Sequence, residues 1–206
     1  VERLLEEMMS FANSIRSGAK KGLTKRRFTN ILHIGSGGSL AGPMMVLRAL
    51  SSYQKPNIQI DFVGNADSSD LQSKLRKLDP ETTLVVVASK TFATQETILN
   101  AETTKKWMLE GLGPSSLSQH FVAITGNKNR AKSFGVIDQN IFEIWEWVGG
   151  RFSLWSAVGL TIILGIGTEN FKQFLQGART IDEHFLNTAP ENNLPLVLGM
   201  LEIWYT

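Results

Sequence analysis

A chain of 206 residues with 42% hydrophobic content can bury one sizeable core, and a formal net charge of +2 is too small to argue for a nucleic-acid surface. The absence of cysteine excludes disulfides, thiol catalysis and cysteine-ligated metals, and fits a cytoplasmic protein. The longest apolar stretch, Leu154 to Gly167, falls short of the roughly 20 residues a membrane span needs, so it reads as a buried helix.

A helical pattern over Leu4 to Ser14 comes first. A basic cluster follows, Lys20-Lys21 with Lys25-Arg26-Arg27, which reads as a solvated loop or as an interaction site. Apolar runs rich in β-branched residues then alternate with helical patterns. Strands are expected at Asn30 to Ile34, Ile58 to Val63, Leu84 to Ala88, Phe121 to Thr125 and, more weakly, Ile141 to Trp145. Helices are expected at Pro43 to Ser51, with Pro43 in the first turn, then at Ser68 to Lys77, Thr94 to Glu110 and Asn129 to Phe134, the last ending at Gly135. The strands have the near-continuous hydrophobicity of strands covered on both faces, and the connections are long enough for crossover helices. The pattern predicts an α/β fold: a five-stranded parallel sheet flanked by helices in a three-layer sandwich.

After Gly150 only helical patterns follow, at Phe152 to Leu164, Asn170 to Phe185 and from Leu196 onward, with a loop around Pro190 to Asn193. These additional C-terminal helices are expected to pack on the sheet. No linker or repeat interrupts the chain, so residues 1–206 are expected to form one domain. The chain begins with Val1 and stops on the apolar run Ile203-Trp204-Tyr205-Thr206, so both ends are expected to be cut from a longer protein.

Ligands of open parallel sheets bind beyond the carboxyl ends of the strands, where the strand order reverses. Three motifs fall at such ends. Gly35-Ser36-Gly37-Gly38-Ser39 follows the first strand, and its glycines allow positive φ and close approach of backbone N–H groups to a ligand. It is neither a P-loop nor a dinucleotide fingerprint, because no Gly-Lys-Ser/Thr follows and Leu40 stands where a glycine or alanine is needed. A tight strand-to-helix turn is the plainer alternative.

The second motif, Ser89-Lys90-Thr91-Phe92-Ala93-Thr94, precedes a helix. A helix N-cap would explain one hydroxyl, whereas four polar donors within six residues suit an anion. The third, Gly149-Gly150-Arg151 within Glu146 to Ser156, puts a guanidinium at a helix start, where the dipole disfavours a cation. Either a surface carboxylate pairs with Arg151, or the arginine faces charge that develops on a substrate.

These motifs, in this order and spacing, resemble the glucose-6-phosphate isomerase family. The match runs from His33 to Ser39 with Gly42-Pro43, then Ala88 to Thr97 with Asn100-Ala101 and Trp107. It continues through His120 to Ala123, Phe142 to Gly159, Gly177-Ala178, Asp182 with His184-Phe185, and Ile203 to Tyr205. The run Trp-Val-Gly-Gly-Arg-Phe-Ser-Leu-Trp-Ser-Ala from Trp147 is its most specific part.

The resemblance implies a sugar isomerase (SIS) domain of an enzyme that interconverts glucose 6-phosphate and fructose 6-phosphate in glycolysis and gluconeogenesis. It implies no cofactor, a sugar-phosphate substrate, and a homodimer in the intact enzyme. Ser39, Ser89, Thr91 and Thr94 would bind the phosphate, with Gly38 and Lys90 in the same loops. Arg151, beside Gly150, would stabilise the cis-enediolate. The family's catalytic glutamate and its ring-opening histidine and lysine have no match here, so the chain alone is expected to bind weakly and not turn over.

Three positions depart from the family pattern: Ser36 for a bulky aliphatic, Leu40 for an aspartate and Ala93 for a threonine. None removes an implied phosphate ligand. Glu96 reads as a complement to the helix dipole, and Glu143 and Glu146 as supports for Trp145, Trp147 or Arg151. His33 reads as a satisfied core histidine, and His120 and His184 lack metal-ligand spacing. A non-catalytic sugar-phosphate sensor and a structural interaction domain are the other classes the sequence leaves open.

Overall fold

The three central apolar runs become strands whose two faces are both covered. The computed structural model describes residues 1–206, with β1 at Asn30–Gly35, β2 at Gln59–Val63, β3 at Thr83–Ala88, β4 at Phe121–Thr125 and β5 at Ile141–Glu143. All pairings are parallel, in the order β2-β1-β3-β4-β5. β3 and β4 are buried at every residue, which is why neither shows a polar alternation in sequence. β5 is shorter than expected: after the Ile144 N–H bonds the Thr125 carbonyl, the chain turns, closed by Val148 N–H to the Trp145 carbonyl at 3.1 Å.

The helices are α1 (Glu2–Ser17), α2 (Gly38–Ala49), α3 (Ser68–Leu75), α4 (Gln95–Leu112), α5 (Leu117–His120), α6 (Lys128–Phe134), α7 (Leu160–Ile166), α8 (Thr168–Asn187) and α9 (Leu194–Tyr205). Alternate strand residues feed two apolar layers. Leu32, Ile34, Val85, Val87, Phe121 and Ala123 form one face of the sheet, packed with Leu71 and Leu75 of α3, Ala101 and Met108 of α4, and Phe134 of α6. The opposite face meets α1, α2 and α7, with the Phe11 and Phe142 rings edge to face at 5.3 Å. The helices that follow β1 and β3 therefore leave the sheet on opposite sides. Gly135, at φ 116°, ends α6 as expected.

Two of the expected helices need correction. α2 begins at Gly38, five residues before Pro43, so the proline lies inside the helix rather than in its first turn. The stretch Phe152 to Leu164 is not one helix. Residues Gly150–Trp155 and Ala157–Gly159 form 3-10 turns before α7 begins, and hydroxyl bonds from Ser153 to the Gly150 carbonyl and from Ser156 to the Ser153 carbonyl tighten this segment. The basic cluster is not uniformly solvated: Lys20 bonds the Asn140 amide oxygen at 2.7 Å, and Arg26 pairs with both Asp79 and Glu81.

The chain divides into two compact units, Val1–Thr168 and Glu169–Thr206. The first holds the sheet. The second is a helical hairpin whose turn is organised by Asn193, which accepts from the Leu196 N–H and donates to the Phe185 carbonyl. His184 Nε2 accepts the Leu194 N–H at 3.1 Å. No helix of the chain is long and apolar enough to cross a membrane.

Candidate functional site

β1 has β2 on one side and β3 on the other, so the order reverses between β1 and β3. That makes their carboxyl ends the switch point at which α/β sheets hold ligands. Gly35 and Ala88 are paired across these two ends, so the turns that follow start side by side.

The turn after β1 depends on two glycines. Gly37, at φ 52° and ψ −131°, adopts a backbone conformation that L side chains rarely adopt, and it leads directly into α2 without any side-chain cap. Gly38 is held against the third motif. A Cβ there would collide with the Gly150 carbonyl and lie 2.7 Å from the Arg151 backbone nitrogen. Because the opposing atoms are backbone, they cannot swing aside. Gly38→Ala is therefore expected to destabilise the fold by roughly 1–3 kcal/mol and to displace Arg151, as read by thermal unfolding. An unchanged melting temperature would show that this approach is not close.

The turn after β3 is held from several directions. The Phe92 N–H bonds the Ser89 carbonyl at 3.1 Å, while the Lys90 carbonyl accepts from the hydroxyl of Thr125, the last residue of β4, and from the Gly126 N–H just beyond it. Phe92 adopts a left-handed φ of 48°, uncommon for a bulky residue, and its buried ring packs edge to face on Phe134 at 5.6 Å. Core packing thus holds a strained backbone in place under the polar turn.

Thr94 occupies the N-cap position of α4 yet makes no cap bond. Its hydroxyl pairs with Ser89 Oγ at 3.1 Å. The N-cap alternative raised by the sequence is therefore not how this hydroxyl is used, and the first amides of an 18-residue helix stay without a side-chain cap. The hydroxyls of Ser39 and Thr91 have no protein partner. Thr97, in the first turn of α4, was not singled out in the sequence; its buried Oγ1 also lacks a hydrogen bond, a feature no local pattern announces.

Lys90 is exposed, and its ammonium donates to the Glu146 carbonyl at 2.6 Å. It ties the turn after β3 to the segment carrying Gly150 and Arg151. Gly150 itself takes φ 56°. Arg151 makes no ion pair with a carboxylate; its guanidinium lies 5.2 Å from the centroid of the Phe152 ring. Glu143, expected to support the tryptophans or Arg151, instead pairs with Lys128 at 2.7 Å. Glu146 enters through its backbone. Trp145 and Trp147 stack at 5.0 Å and 6°, and with Phe152 and Trp155 they line an open cleft of about 320 Å³ beside Gly149. Glu96 is exposed in the first turn of α4.

The sheet and its turns define a parallel α/β domain whose switch point carries polar, glycine-bearing turns. The phosphoglucose isomerase family model matches residues 1–206. The glucose-6-phosphate isomerases of Methylococcus capsulatus and Ralstonia pickettii are each 48% identical to this chain over all of its 206 residues, which is 38% of either relative. A crystal structure of a glucose-6-phosphate isomerase from Chlamydia trachomatis aligns with a TM-score of 0.84 at 34% identity, covering 99% of this chain and 37% of that one. The chain belongs to the phosphoglucose isomerase family, and it spans about 38% of the length of the curated relatives it matches.

Proposed function

We propose that this chain supplies the phosphate-holding turns and one charge-stabilising arginine of an enzyme that interconverts glucose 6-phosphate and fructose 6-phosphate. The observation that carries the reading is the convergence of three segments: Ser39 and Ser89 follow paired strand ends, Gly38 backs onto Gly150, and Lys90 holds the segment that presents Arg151. Ser39, Ser89, Thr91 and Thr94 would grip the phosphate, with amides of Gly38 and of the start of α4. A phosphate that does not react can supply the binding energy that orients the carbon skeleton.

The reaction moves a proton between C2 and C1 by way of an enediolate, whose oxygens carry the charge that Arg151 would stabilise. No carboxylate of the chain stands out as the base, so the 206 residues alone are expected to hold sugar phosphate weakly and give no turnover in a coupled assay. Isomerisation near the rate of a full-length relative would overturn this. The same reading takes the full-length enzyme to be a cytoplasmic homodimer, which its mass in solution would test.

The turn after β3 is tested by Ser89→Ala with Thr91→Ala in the full-length enzyme. KM and the inhibition constant for inorganic phosphate should rise about tenfold or more, since hydrogen bonds to a charged group are the ones removed, while kcat changes little. An unchanged inhibition constant for phosphate would refute the assignment.

A further inference from the structure

The buried histidine of β1 has no part in the chemistry above, yet it touches the turn that is read as holding phosphate. In an α-helix the carbonyl of residue 39 takes the N–H of residue 43. Position 43 is proline, inside α2, and it has no N–H to give. The Ser39 carbonyl receives a different donor: His33 Nε2 lies 2.8 Å from it. A carbonyl oxygen only accepts, so Nε2 carries the proton. Nδ1 is then the lone-pair nitrogen, and the Thr161 hydroxyl of α7 donates to it at 2.8 Å.

The ring is fully buried and packs against Phe62 with centroids 5.2 Å apart. Burial pushes its pKa down to about 4, so the imidazole stays neutral in one tautomer through physiological pH. Three elements thus meet on one side chain: β1 carries it, the Ser39 carbonyl at the start of α2 fixes its tautomer by accepting the Nε2–H hydrogen bond, and the Thr161 hydroxyl of α7 donates to the other nitrogen.

We propose that His33 is a positioning residue: its Nε2–H replaces the backbone donor that Pro43 removes, and so fixes the first turn of α2 with Ser39 oriented toward the sugar phosphate. The inference rests on the reading that this turn holds phosphate. Pro43 and His33 form a matched pair, in which the proline frees a carbonyl and the histidine captures it from the strand below. A core histidine that merely filled space would have no such dependence on residue 43.

The test is calorimetric titration of the full-length enzyme with glucose 6-phosphate and with inorganic phosphate. His33→Phe keeps the ring and removes the donor, and should weaken both ligands about tenfold. His33→Gln, which can offer an N–H from a similar position, should recover most of that loss. Pro43→Ala combined with His33→Phe should also recover it, because the backbone N–H returns to the Ser39 carbonyl. Wild-type affinity in His33→Phe, or no recovery in either rescue, would overturn the proposal. Should the Phe variant fail to fold, long-range ¹H–¹⁵N spectra of the wild-type imidazole decide: the Nε2–H tautomer is expected, and Nδ1–H would refute it. Failure of the wild-type enzyme to bind either ligand would instead sink the phosphate reading itself.

Discussion

Arg151→Ala in the full-length enzyme is expected to lower kcat by about 10²- to 10³-fold while leaving KM within a few-fold of wild type, the effect of removing one preorganised charge from a developing oxyanion. No carboxylate of the chain pairs with the guanidinium, which supports the proposed role over the surface ion pair that the sequence left open. Arg151→Lys should recover little, since a point charge on a flexible stem does not reproduce a planar fork. The measurement is steady-state isomerisation in both directions. Equal, mild losses in kcat and KM would mean that Arg151 binds substrate no differently from its transition state.

The second large effect concerns acid stability. His33 is neutral in the fold with a pKa near 4, against an ordinary value of 6.5. Below pH 6.5 the unfolded chain takes up a proton that the folded chain refuses, so stability present above that pH is lost as the pH falls toward 4. A gap of this size corresponds to about 3 kcal/mol. Urea unfolding at pH 7.5 and pH 4.5 should show His33→Gln losing markedly less stability on acidification than wild type. His120 is also held below its ordinary value by burial, but it is present in both proteins and cancels. Equal losses in the two proteins would exclude His33 as the acid-sensitive group.

Much of the fold was legible because β1, β3 and β4 are covered on both faces, so their residues read as unbroken apolar runs. The polar turns were legible for the opposite reason: hydroxyls and glycines crowd directly after such runs. What stayed hidden is non-local. Nothing near Pro43 announces that a histidine ten residues earlier will satisfy the carbonyl its ring orphans, and from sequence alone the usual preference of proline for a first turn prevails. The link from Lys90 to the Glu146 carbonyl joins residues 56 apart and leaves no trace in either motif. Phe92 is a further case, since nothing marks a phenylalanine for a left-handed backbone until its ring is seen packed on Phe134. The apolar content of the segment from Phe152 suits one helix; its first part is 3-10 instead, with the hydroxyls of Ser153 and Ser156 bonding back to the chain.

The side-by-side origin of the turns after β1 and β3 has a consequence for specificity. Both turns start from adjacent strands about 4.8 Å apart, a dimension set by backbone hydrogen bonding that no side-chain exchange alters. A grip of fixed width suits one constant chemical group, carried unchanged by many different molecules. If these turns hold phosphate as proposed, divergence toward another sugar would leave this end of the site alone and be written into the residues that meet the carbon chain, so relatives with different preferences should share the anchor and differ at the far end.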